Sequence, residues 1–233
     1  PDLQQALQIV NEECHKMVEY IHYTAQDYLQ QDKLVGVIGG DHSSPLGLIK
    51  ALSEKYAGEF GILHIDAHAD LRQAYQGFEH SHASIMYNVL QLPQAPQRLV
   101  QVGIRDFCVE EKKLIDNDER ITTYFAPQIF SQHYQGKTWQ QQCEEIVQQL
   151  PQKVYISFDI DGLDPLYCPN TGTPVPGGLS FSHVEHLLRV LKRSQKQIIG
   201  FDLCEVAPDP QGLDEWDGNV GARILYKLCG LVD

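Results

Sequence analysis

Short, continuously apolar runs alternate with stretches of helical periodicity along this chain, and that alternation confines it to few folds. The runs fall at 34–38, 60–65, 98–104, 121–124 (the weakest), 154–158 and 198–203. Helical spacing covers 3–30, resumes after Pro45, and returns near 82–91, 138–150, 181–193 and 218–229. A strand that is apolar on both faces has to be covered on both faces. The pattern therefore predicts an α/β fold with a mostly parallel central sheet between helices. Ser43-Ser44-Pro45 reads as an N-cap and a first-turn proline opening the second helix. No linker, repeat or shift of composition interrupts residues 1–233, so a single domain is expected. At this length a single domain buries roughly 70% or more of the unfolded chain's surface.

Composition narrows the partners. Acids outnumber bases 31 to 18, for a formal charge of −13. That field opposes phosphate binding, so no nucleic-acid partner is expected. A cationic substrate, or carboxylates gathered around metal ions, fits better, although solubility alone accounts for the charge equally well. No apolar run approaches the ~20 residues of a membrane span, and no secretory signal opens the chain. Cys14, Cys108, Cys143, Cys168, Cys204 and Cys229 are scattered without a CxxC pair. They read as reduced, buried thiols, with the cytoplasm as the address. Residue 1 is Pro rather than an initiator Met, so the chain is expected to be trimmed or to lack an N-terminal segment.

The chemistry-bearing residues follow the strands. Gly39-Gly40-Asp41-His42 comes after the first run, Asp66-Ala67-His68-Ala69-Asp70 after the second and Asp159-Ile160-Asp161 after the fifth, while Asp202 and Glu205 close the last. Open parallel sheets bind ligands at the carboxyl ends of their strands. In extended backbone, Asp66, His68 and Asp70 would share one face, as would Asp159 and Asp161. Four aspartates brought together would drive one another toward protonation unless divalent cations offset them. Strand-end polar residues and N-caps explain any one of these aspartates, but poorly the two motifs together. An oxygen-rich set with imidazole and no thiolate favours Mn²⁺, with Fe²⁺, Co²⁺ or Zn²⁺ as substitutes. Two ions sharing carboxylates can acidify a water between them, which implies hydrolysis. No GxSxG elbow, P-loop or GxGxxG spacing is present. The segment 171–178 reads as a rigid active-site wall, and Asp209, Asp214, Glu215 and Asp217 as a solvated loop.

Taken in order, GGDHS at 39–43, DAHAD at 66–70, SFDIDGLDP at 157–165 and TGTPVPGG at 171–178 resemble the arginase/agmatinase (ureohydrolase) family. The resemblance runs from about residue 35 to the end. It implies an arginase-like, three-layer α/β/α fold and two Mn²⁺ per chain. It implies that His42 and Asp70 complete one manganese site and His68 and Asp161 the other, with Asp66 and Asp159 shared. Asp70 would also hydrogen-bond the bridging hydroxide. His82, in SHAS at 81–84, falls at the family's proton-shuttling histidine, with His80 its near rival; the helix that follows favours His82. Glu205 would pair the substrate guanidinium, a planar cation suited to a bidentate carboxylate.

Substrate class is implied by other positions. The loop 71–77 lacks the Asn-rich pattern of arginases, and Cys108 stands where they carry a second acid after Asp106. DAHADLR followed by Tyr, Gly and SHA looks more like bacterial and archaeal agmatinases. The resemblance thus implies a hydrolase of linear amidines that releases urea and an amine from a small cationic guanidino substrate, agmatine to putrescine first. Arginine or another guanidino- or formimino-acid is the alternative that Arg72 leaves open, a salt-bridged scaffold role for Arg72 being preferred. A homo-oligomer, trimer or hexamer, is implied. A dinuclear metallophosphoesterase is disfavoured by the lack of a later GNH[DE]-type segment. A non-catalytic scaffold is opposed by the six intact ligand positions; the family's usual extra strand and loop before the first motif, missing here, argues for it.

Overall fold

Six strands form one sheet in the computed structural model, which describes residues 2–232. They are β1 (Val35–Ile38), β2 (Gly61–Ile65), β3 (Arg98–Ile104), β4 (Ile121–Phe125), β5 (Lys153–Phe158) and β6 (Gln197–Leu203). Their order is β1-β6-β5-β2-β3-β4, and every pairing is parallel, so the sheet is all-parallel rather than mostly so. From β2 the chain steps outward through β3 to β4, then returns to place β5 on the other side of β2 and β6 beyond it. The progression therefore reverses between β2 and β5. The carboxyl ends of two adjacent strands diverge at such a point and leave a crevice, and the DAHAD and DID motifs end those two strands.

Eight helices pack on the sheet: α1 (Leu3–Leu29), α2 (Leu46–Tyr56), α3 (Ile85–Leu90), α4 (Val109–Asn117), α5 (Ala126–Tyr134), α6 (Trp139–Gln148), α7 (Phe181–Arg193) and α8 (Trp216–Cys229). Alternation along β2 separates two cores. Ile62 joins Val18, Leu48, Leu52 and Met86 under α1 to α3. Leu63 and Ile65 join Ile146, Leu187, Leu191 and Ile224 under α6 to α8. These are the outer layers of a three-layer α/β/α arrangement. Among the described residues no helix is long and apolar enough to cross a membrane.

Three local expectations are corrected. Pro45, rather than a serine before it, is the N-cap of α2, and it has no side-chain capping bond; the Ser43 hydroxyl donates instead to Asp41 Oδ1 at 2.6 Å. No helix was expected at α4 or α5. Each is nine residues long and buries little, only Glu111 in α4 and Ala126 and Ile129 in α5; the spacing of Ala126, Ile129, Phe130 and Tyr134 is nonetheless a helical signal that sequence reasoning missed. Of the six cysteines, all unpaired, only Cys143, Cys168 and Cys204 are buried; Cys229 is exposed.

Gly47 sets how closely α2 meets α1. A Cβ there would run into the Val18 carbonyl oxygen and lie 2.7 Å from the His22 nitrogen. Gly47→Ala should destabilise the chain by about 1–3 kcal/mol, the usual overpacking cost, read as a lower urea midpoint. An unchanged midpoint would show that the two helices do not meet this closely.

Candidate metal centre

The two central motifs reach the crevice by different local geometry. Asp66 leaves β2 with its N–H on the Val102 carbonyl, but Asp70 has φ +54°, in the left-handed region. Asp159 caps a 3₁₀ turn, Ile160–Gly162, and accepts the Asp161 N–H at 2.9 Å. The aspartates therefore converge through a left-handed residue and a turn, not through the strand alternation expected from sequence. Gly162 lets the motifs touch: a Cβ there would lie 2.8 Å from the Asp66 nitrogen.

All six expected ligand positions fall into one cluster. His42 Nδ1 lies 2.9 Å from Asp66 Oδ2, 3.1 Å from Asp70 Oδ2 and 3.3 Å from Asp159 Oδ2. His68 Nδ1 lies 3.1 Å from Asp161 Oδ2 and 3.5 Å from Asp66 Oδ1. Asp66 thus faces both histidines. Two residues enter that sequence reasoning left unassigned. His64 Nε2 is 2.8 Å from Asp66 Oδ2. Asp202 accepts from the Tyr155 hydroxyl at 2.8 Å and from the Phe158 N–H at 3.1 Å. Extending the Asp66–His68 alternation back by two positions would have found His64.

Burial and charge act together on these carboxylates. Asp66, Asp70, Asp159, Asp161 and Asp202 are each at most 4% exposed. Burial, and then the neighbouring Asp66 charge, pushes the Asp70 carboxyl up to about 8. Burial with Asp161 and Asp66 pushes Asp159 well above the usual carboxylate range. Burial also opposes charge on Asp66, but His64, His42 and His68 outweigh it and hold Asp66 well below that range. Desolvation lowers the imidazoles of His42 and His68; their carboxylate partners overcome it, raising His42 well above its ordinary value and His68 to about 11. The raised groups offset the repulsion among the buried carboxylates by holding protons more tightly.

The donor set fits divalent metal. Ligand atoms of His42, His64, Asp66 and Asp70 lie within 4.8 Å of one another, as do those of Asp66, His68 and Asp161. The two groups share Asp66, as a dinuclear centre requires. Imidazole nitrogen and carboxylate oxygen without thiolate suit Mn²⁺-type ions.

A cleft of about 150 Å³ opens over the cluster, lined by His68, Asp70, Arg72, Tyr75, His82 and Asp106 among others. His82 is in it; His80 is not, and its ring instead lies 6.1 Å from His15 on α1. Glu205 stands beside the cluster with φ +64°, its Oε1 accepting the His42 N–H at 3.0 Å. Burial raises the Glu205 carboxyl. Arg72 stacks over Tyr75 at 5.0 Å and faces Glu111 at 3.8 Å, the paired arrangement preferred from sequence. Asp106 sits exposed at the rim, 4.0 Å from His68 Nε2. Cys108 caps α4, its N–H donating to Glu111 Oε2.

The 171–178 loop is tied to the site: the Thr173 hydroxyl donates to Asp161 Oδ2 at 3.2 Å and that of Thr171 to the Glu205 carbonyl at 2.9 Å. Arg105, also unassigned from sequence, donates to the carbonyls of Asp161, Leu163 and Val175, pinning the turn to the loop. The C-terminal acids are not all solvated. Asp217 is 2% exposed and accepts from the Asn170 backbone and side chain at 2.9 and 3.0 Å.

Comparison with known proteins decides the family. The arginase-family model matches residues 3–230. The chain belongs to the arginase family. Its members are ureohydrolases, hydrolases acting on linear amidines. The chain is 37% identical over 220 residues to the N(1)-aminopropylagmatine ureohydrolase of Thermus thermophilus, covering 94% of this chain and 69% of that protein. It is 30% identical over 225 residues to the mitochondrial arginase 1 of Oryza sativa subsp. indica, covering 94% and 62%. A crystal structure of a hypothetical agmatinase from Burkholderia thailandensis superposes with a TM-score of 0.75 at 28% identity, over 99% of this chain and 67% of that one.

The charge pattern gives a pH dependence. Raised folded-state values at Asp70 and His68 mean that the metal-free fold holds extra protons, and their stabilisation is lost as pH rises through about 8 and toward about 11. Asp66, held low, is already ionised above pH 5 and adds no slope there. The melting temperature of chelator-treated protein should therefore fall between pH 6.5 and 8.5, and Mn²⁺ should raise it most at the upper end. Differential scanning fluorimetry checks this; identical curves with and without metal would remove the metal centre.

Proposed function

We propose that this chain is a dimanganese ureohydrolase whose substrate is a cationic guanidino amine, agmatine or its N1-aminopropyl derivative. The observation that carries the proposal is the buried carboxylate cluster, shared between two histidines through Asp66, on the floor of a cleft with an acidic rim. The name of the Thermus relative supports the aminopropyl substrate, and the unpaired thiols support a cytoplasmic address.

His42, Asp66, Asp70 and Asp159 would hold one ion and Asp66, His68, Asp159 and Asp161 the other. Bound there, the ions would offset the carboxylates and make water acidic enough to attack near neutral pH. The overall reaction adds water to a guanidinium carbon, breaks one C–N bond and leaves urea and an alkylammonium. The bond pair and both water protons end on the leaving nitrogen. Asp70, in the cleft floor, can accept a proton from the attacking water. His82, in the cleft wall, can pass one to the leaving amine. Glu205, whose Oε2 has no hydrogen-bond partner among the described residues, would accept a guanidinium N–H. Asp106 offers a carboxylate at the rim to a distal ammonium, whereas Arg72 is engaged by Glu111 and Tyr75 and gives a substrate carboxylate little purchase. That contrast favours an amine over arginine.

Urea release by Mn²⁺-loaded protein, measured across a guanidino panel, should show higher kcat/KM for agmatine or aminopropylagmatine than for arginine. Preference for arginine would overturn the substrate assignment. His82→Ala should keep manganese yet lose about 10²–10⁴-fold in kcat, while His80→Ala stays near wild type; the reverse result moves the shuttle to His80. Asp159→Asn should retain less manganese than Asp161→Asn by elemental analysis, because a shared carboxylate serves two ions. Equal retention counts against that sharing.

A further inference from the structure

His64, Gln101 and Thr123 are register partners on β2, β3 and β4, so their side chains leave the same face of the sheet in one row. His64 and Gln101 are wholly buried, in strands otherwise made mostly of Leu, Ile and Val. Polar groups at such positions are costly unless every one is hydrogen-bonded. Here they are, and the direction of each bond is forced.

A backbone carbonyl only accepts. The Gln101 atom 2.8 Å from the Ala69 oxygen is therefore its NH₂. The other end of that amide is the oxygen, which accepts the Thr123 hydroxyl at 2.9 Å. The second hydrogen of the NH₂ points at His64 Nδ1, 3.0 Å away. A ring nitrogen that accepts carries no proton, so the proton of neutral His64 is on Nε2, which donates to Asp66 Oδ2 at 2.8 Å. One-way donation runs from Thr123 through Gln101 and His64 to Asp66.

We propose that His64 is a positioning residue for Asp66, set in its Nε2–H tautomer by Gln101 and Thr123, and not itself a metal ligand. The inference rests on the metal-centre assignment made above. Asp66 Oδ2 has two imidazole neighbours, His64 Nε2 and His42 Nδ1. Once His42 Nδ1 offers its lone pair to a metal it no longer donates to Asp66, and His64 is left as the donor that orients Oδ2. Gln101 also grips the carbonyl of Ala69, between His68 and Asp70, so the same amide steadies the backbone that carries two further ligands. Hydrogen-bond partners of ligating groups commonly govern metal affinity by 10–100-fold.

Two measurements test this. Long-range ¹H–¹⁵N spectra of the metal-free wild-type chain should show His64 with Nδ1 unprotonated and Nε2 protonated; the opposite tautomer or a doubly protonated ring overturns the relay. Mn²⁺ titration, read by the electron paramagnetic resonance of free Mn²⁺, should show about 10–100-fold weaker binding in His64→Phe. His64→Gln, which restores an N–H donor, should recover most of the loss. Wild-type stoichiometry and affinity in His64→Phe would overturn the positioning role while leaving the metal centre intact. If wild type binds no Mn²⁺, the metal-centre assignment falls and this inference falls with it. If His64→Phe does not fold, the wild-type tautomer decides.

Discussion

Five aspartates, Asp66, Asp70, Asp159, Asp161 and Asp202, are buried together at the carboxyl ends of β2, β5 and β6, and their mutual repulsion is the constraint around which the site is arranged. Two ionised carboxylates ~4 Å apart repel by about 4 kcal/mol even at an effective dielectric of 20. Burial removes the water that would screen them. The cluster offsets that repulsion by holding protons more tightly at Asp70 and Asp159 and on the imidazoles of His42 and His68. A divalent ion pair would replace those protons with charge fixed in place, coupling metal binding to folding.

Such a cluster persists only in a rigid frame. The frame is the switch point between β2 and β5, where two strand ends diverge with apolar cores above and below them. Gly162 and Gly103 keep neighbouring backbone within reach of Asp66. Arg105 binds the 161–163 turn to the 171–178 loop through carbonyls alone, so it places the Asp161 backbone without neutralising a carboxylate that a metal would need. Asp202 is spoken for by Tyr155 and Phe158, which distinguishes it from the aspartates facing the cleft.

The cleft wall divides its charges in the same way. Arg72, the one arginine or lysine lining it among the described residues, is held against Tyr75 and Glu111, and Glu111 is itself occupied by the N–H groups of Leu71 and Cys108. Among the described residues the Asp106 carboxylate at the rim has only a distant His68 beside it. An acidic rim above an acidic floor matches the net charge of −13 and is the basis of the cationic substrate proposed above.

The sequence alone determined the layer order and the site's inventory. Continuous apolar runs dictate a doubly covered parallel sheet, and Asp and His placed directly after those runs must lie at its carboxyl edge whatever the strand order. What it left open depended on contacts distant in sequence. Strand order decides that the second and fifth motifs, rather than any other pair, face each other. The helices at 109–117 and 126–134 are only nine residues long and bury little, so they depend on the sheet they cover. Asp161 reaches the cluster from a 3₁₀ turn and Asp70 from a left-handed residue, so period-two spacing named these residues for the wrong geometric reason. His80 and His82 differ by two positions in one loop, and only the packing against α1 sends His80 away from the cleft. The spacing of His64 from Asp66 is visible in the sequence, but its role is not until Gln101 and Thr123 line up beside it, since a hydrogen bond's direction across three strands is a property of register, and register is settled by the folded sheet.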